Sequence, residues 1–157
     1  MTKSEFIATI KKYFKNRNFY VKGTHFYKNL CNDVMLVIGL QKSNYGEYYY
    51  AEYGFCFCPI NRHLPYPKFY EANIRCGRLT YHNSTTLDYE SMIGFDFMKE
   101  LDKQIDFIIS IGEKGKESIA EYYLNSNARR YMAIIGENTI KYLGISAEGL
   151  TIHPDML

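Results

Sequence analysis

The chain has 157 residues, of which 46% are apolar and 23% charged, a globular composition long enough to build a hydrophobic core without disulfide or metal staples. That balance excludes a disordered polymer, and the longest apolar run, "VMLVIGL" at 34–40, is far too short to span a bilayer. Net charge is +2 but uneven, with +6 over residues 1–28 and −5 over residues 86–157. A basic end attracts anions, although so short a lysine run also fits a solvated helix face. The N-terminus lacks the basic tip and apolar stretch of a signal peptide, so the expectation is a soluble, cytoplasmic protein with no membrane contact.

"SEFIATIKKYF" reads as a helix capped by Thr2 or Ser4, with Phe6, Ile7, Ile10 and Phe14 at helical spacing, ended by "NRN" at 16–18. Strand patterns follow at about 24–31, 33–43, 47–58 and 72–81. The middle two read as a hairpin closed by "SNYG", with Ser43 opposite Gly46. That register pairs Leu40 with Tyr49, Ile38 with Ala51, Leu36 with Tyr53 and Val34 with Phe55, so the apolar residues share one face. The opposite face holds Met35, Val37, Gly39 and Gln41 beside Tyr48, Tyr50, Glu52, Gly54 and Cys56. Phenol tips, a carboxylate and glycines make it the more interesting surface.

A proline-rich loop spans 59–70. The period then becomes helical, with Phe97, Met98, Leu101, Ile105, Ile108 and Ile109 marking a helix over about 96–112. "EKGKE" separates it from shorter helices marked by Ile119, Tyr122 and Tyr123, by Ala128, Tyr131, Met132 and Ile135, and by Ile140 and Leu143 before Gly144. The tail "SAEGLTIHPDML" reads as irregular. The sum is a single two-layer α+β domain over 1–157, an antiparallel meander of about four strands with an N-terminal helix and a C-terminal set of helices.

Motifs for chemistry are sparse. Cys31, Cys56, Cys58 and Cys76, with His25, His63 and His82, invite a metal reading, but the spacing does not suit zinc knuckles and buried thiols explain it better. Gln41 directly precedes Lys42, so the two point to opposite faces and the metal-nuclease pattern fails. Nucleophile-elbow, Walker and Rossmann signatures are absent, and "IGEKGKES" reads as a helix break rather than a phosphate loop. No catalytic residue, metal or cofactor is therefore assigned. Arg75 is a lone arginine in a strand-like run. If its strand neighbours the hairpin it meets Glu52, with Gln41, Tyr48 and Tyr50 around them. That is either a structural ion pair or a polar pocket.

"FYVKGTHFYKN", "VMLVIGLQKS", "YYYAEYGFCF" and "ANIRCGRL" followed by "LDYE" occur in an order that resembles a bacterial family known as a domain of unknown function, DUF4304. The likeness covers about residues 5–110 and rests mainly on Gln41, Lys42 and Ser43 and on Ile74 and Arg75. The family pattern has an Ile-Arg-x-Arg strand followed by Asp with tryptophans, whereas here the second arginine is displaced to Arg78, and Lys28 and Tyr89 stand where Arg and Trp are expected. The resemblance implies a hairpin-rich sheet and no established activity.

The expectation is a non-catalytic protein-binding module, of accessory or immunity type, using Gln41, Tyr48, Tyr50, Glu52 and Arg75. The alternative is a small-ligand binder or enzyme with a pocket at Glu52 and Arg75. Single-stranded nucleic-acid binding is third, weakened because the lysines do not interleave with the aromatics. A homodimer stays open.

Overall fold

The computed structural model describes residues 1–154 apart from 32, 62–63, 126–129 and 131. Among these residues four α-helices, α1 (Lys3–Asn16), α2 (Gly94–Glu113), α3 (Lys116–Ala120) and α4 (Glu137–Leu143), accompany one sheet. Its strands are β1 (Tyr20–Lys22), β2 (His25–Asn29), β3 (Val34–Lys42), β4 (Tyr49–Phe57), β5 (Ile74–Arg78), β6 (Ile134–Gly136) and β7 (Thr151–His153). They lie side by side in chain order, antiparallel except for the final β6–β7 pair. The α+β class, the N-terminal helix and the C-terminal helices hold, and among the described residues no helix is long and apolar enough to cross a membrane.

The expected four-strand meander is an undercount. The three additional strands, β1, β6 and β7, have three residues each, too few to display an alternating pattern. Ile135, expected on a helix, lies in β6 opposite Ile74, and the Gly136 N–H donates to the Asn73 carbonyl. Ala128 and Tyr131, expected on that same helix, lie outside the described residues. The tail is not irregular throughout, because Thr151–His153 runs parallel to β6.

Local chemistry explains the longer elements. Thr2 and Glu5 form a reciprocal capping box at α1, which buries Phe6, Ile10 and Phe14. Arg17 caps the end and Asn18 turns away in the left-handed region. Helix α2 buries Phe97, Leu101, Ile105 and Ile108. Near its end Gly112 admits the close approach of the sheet: a Cβ there would stand 2.4 Å from Leu30 and 2.8 Å from Phe55. Gly115, at φ +93°, makes the break before α3.

The hairpin faces agree with the sequence pattern, but its register differs by two residues. Leu36 pairs with Phe55, Ile38 with Tyr53, Leu40 with Ala51 and Lys42 with Tyr49. A two-residue hairpin turn needs positive φ, which no residue from 44 to 47 adopts. Instead Ser43 closes a longer loop: its N–H donates to the Tyr48 carbonyl and its hydroxyl accepts from the Tyr45 N–H. A slip of two preserves the side-chain alternation, so the core face survives.

The helices cover that face, where Val34, Leu36, Ile38, Phe55 and Phe57 are all buried. The opposite face is less open than its polar composition suggests. Met35, Val37 and Cys56 are buried there in a separate cluster with Tyr27 and Ala72. Phe69, on a short 3₁₀ turn at Phe69–Glu71, covers Gly39, where a Cβ would be 2.5 Å from its ring.

Candidate functional site

Beyond the part of this second face that Tyr66, Phe69 and Ala72 cover, β4 and β5 bring charged groups together. Glu52 is 8% exposed and lies opposite Gly39 on one side and Arg78 on the other. Arg75 Nη2 donates to Glu52 Oε2 at 3.2 Å. Arg78 Nε and Nη2 both donate to Oε1, at 3.3 and 3.2 Å. One carboxylate thus holds two guanidinium groups.

Arg75 and Arg78 are three positions apart, so regular alternation would send them to opposite faces. A bulge prevents this. Gly54 pairs with Arg75 and Tyr53 with Gly77, leaving Cys76 as the extra residue. Gly77 has φ +147°, a conformation that favours glycine. Cys76 turns into the main core at 3% exposure, while both arginines reach Glu52.

Aromatic rings flank the charges. The Arg78 guanidinium carbon lies 3.9 Å from the Tyr50 ring centroid, and that of Arg75 lies 5.6 Å from Phe69. Tyr48 meets Tyr50 edge-on, with ring centroids 5.6 Å apart. Hydrogen bonds with Ser43 and then Tyr50 draw the Tyr48 phenol below its ordinary pKa, while the bond with Tyr48 pushes Tyr50 above it. Both tyrosines are half-exposed.

Of the sequence-predicted residues, the structure gathers Tyr50, Glu52 and Arg75 and sets Tyr48 beside Tyr50. Gln41 does not converge on the charges; it is exposed at the outer rim, opposite Tyr50 across the β3–β4 pair. Arg78 is the participant that strand alternation did not reveal. Its signal was the glycine before it, which permits a bulge. An open cleft of about 350 Å³ adjoins the ion pairs, with Thr85, Met132 and Ile134 completing its wall.

The remaining metal candidates are dispersed. Cys56 and Cys76 are buried in separate clusters, and burial pushes the Cys56 thiol up to about 12. Cys31 and Cys58 are exposed. His25 is buried with neither ring nitrogen hydrogen-bonded, stacked on Phe69 at 5.8 Å. Burial, followed by the nearby Lys68, lowers its pKa to about 4. His82 pairs with Glu100, and His63 lies outside the described residues. Among the described residues no group of three or more His, Cys, Asp or Glu side chains is placed to hold a metal ion.

Residues 10–107 match a family model described as "Domain of unknown function (DUF4304)". No curated protein and no solved structure matches the chain.

Proposed function

The chain belongs to the DUF4304 family, and we propose that in this member the rim formed by Gln41, Tyr48, Tyr50 and Arg78 is a protein-binding surface. The observation that carries the reading is the Arg78–Tyr50 stack, fixed from behind by Glu52 at the mouth of an open cleft. Arginine and tyrosine are the side chains most enriched among interface hot spots. A guanidinium already held by a carboxylate loses less rotamer freedom on binding than a free one. Glu52 engages both oxygens with arginines, which suits a positioning group better than a general base. The unpaired thiols, two of them exposed, fit a reducing compartment such as the cytoplasm.

The test is capture of a stoichiometric partner, followed by titration of the purified pair. Tyr50→Ala and Arg78→Ala should each weaken the complex at least tenfold, about 1.4 kcal/mol or more. A partner that binds both variants with undiminished affinity removes this face from consideration.

A further inference from the structure

We infer that the cleft beside Glu52, Arg75 and Arg78 receives one carboxylate carrying a small apolar group. The inference builds on the proposed contact surface by naming the chemical group that enters it.

The charge count is the first support. Among the described lining residues there are two guanidinium groups and one carboxylate, leaving one positive charge uncompensated. The donors are the second. Each guanidinium has five N–H groups. Arg75 makes a single hydrogen bond to Glu52, and Arg78 makes its two to the same oxygen. Arg75 Nε, which is buried, also has no acceptor among the described residues. Planar forks of this kind match carboxylate geometry.

The rest of the lining accounts for the second half of the ligand. Met132, 41% exposed, and the half-buried Ile134 supply apolar surface, and Thr85 lines the same cleft. The surplus of a single charge selects among anions. A monoanionic carboxylate neutralises it, whereas a phosphate dianion would leave excess negative charge next to Glu52. The ligand chemistry has two sources: an acidic side chain or chain terminus presented by a protein partner, or a free small carboxylic acid.

N-acetyl-leucine is a suitable probe because it joins a carboxylate to a short apolar side chain. N-acetyl-leucinamide and inorganic phosphate are the controls, all at constant ionic strength. Two-dimensional ¹⁵N spectra of the full chain should show saturable shifts at the Arg75 and Arg78 Nε signals and at the Thr85 and Ile134 amides. Binding should be at least tenfold weaker for the amide and for phosphate, and at least tenfold weaker in Arg78→Gln. Arg75→Lys, which keeps the charge but loses the fork, should retain weakened binding, read at the Arg78 Nε signal and the Thr85 and Ile134 amides. No saturable shift with N-acetyl-leucine, an equal response to the amide, or tighter binding of phosphate overturns the inference.

The outcome separates from that of the protein-binding surface. Saturation by N-acetyl-leucine with competition against a captured protein assigns the carboxylate to that protein. Saturation when no protein partner exists leaves the cleft as a receptor for a free acid, and the protein-binding reading falls alone. A partner lost in Arg78→Ala, but bound by a chain that ignores N-acetyl-leucine, keeps that surface and discards the carboxylate.

Discussion

The two faces of the β3–β4 hairpin are built from alternating residues of the same strands, yet they are closed by different means. One is sealed by helices, with Phe6, Leu36, Phe55 and Leu101 in a continuous apolar cluster. The other is covered by Tyr66, Phe69 and Ala72 of the β4–β5 connection over a smaller cluster and opens into a network of Glu52, Arg75 and Arg78. The comparison separates stability from specificity. The helical face supplies apolar burial, which is non-directional. The loop-covered face fixes directions, because its guanidinium groups are held by hydrogen bonds of defined geometry.

The strongest way to break the contrast is Phe55→Ala. Its ring is fully buried, 6.0 Å from the Tyr123 ring, and its loss should cost about 3–5 kcal/mol in denaturant-induced unfolding. The second face should respond more to pH. His25 is neutral and buried, with its pKa lowered from 6.5 to about 4, so the unfolded chain takes up a proton first on acidification. Its stabilising contribution is complete above about pH 6.5 and is lost as pH falls towards 4, roughly 2–3 kcal/mol across that window. Since neither ring nitrogen is hydrogen-bonded, His25→Phe should fold and flatten this part of the pH–stability curve. An unchanged slope in the variant would show that another group governs the acid limb.

Glu52→Gln sharpens the comparison further. It leaves two arginines facing a neutral amide and should cost about 1–3 kcal/mol, less than a fully buried pair because Arg75 and Arg78 are partly solvated. It should also weaken partner binding, which Phe55→Ala should spare in the fraction that remains folded. The smallest effect belongs to the surface link between α1 and α2. Arg17 bridges Asp102 and Asp106, and the Tyr13 hydroxyl donates to Asp102. Arg17→Ala should cost at most about 1 kcal/mol, and that loss should shrink in high salt. Thermal unfolding at two ionic strengths measures it.

The sequence made the helical face readable because its signal is redundant. Phe6, Ile10 and Phe14, and Phe97, Leu101 and Ile105, repeat over several turns, so no single residue decides the assignment. The hairpin faces were equally legible; the pairing was not, because slips of two residues give the same alternation and the loop from Ser43 to Tyr48 decides between them. Glu52 and Arg75 were found by their charge on strand-like segments. The cover of Gly39 by Phe69, and the short β6 that brings Ile134 to the cleft, depend on contacts distant in sequence that leave no local period.

The bulge at Cys76 also bears on how the site tolerates insertion and deletion. Two arginines separated by a single residue would face the same way on an uninterrupted strand. Here two residues, Cys76 and Gly77, separate Arg75 and Arg78, and both arginines are still directed to Glu52. Deleting Cys76 would remove a core side chain but leave the arginines facing alike, with Gly77 in the inward position. In this chain the paired facing of the two arginines rests on the extra residue Cys76 and on Gly77 beside it.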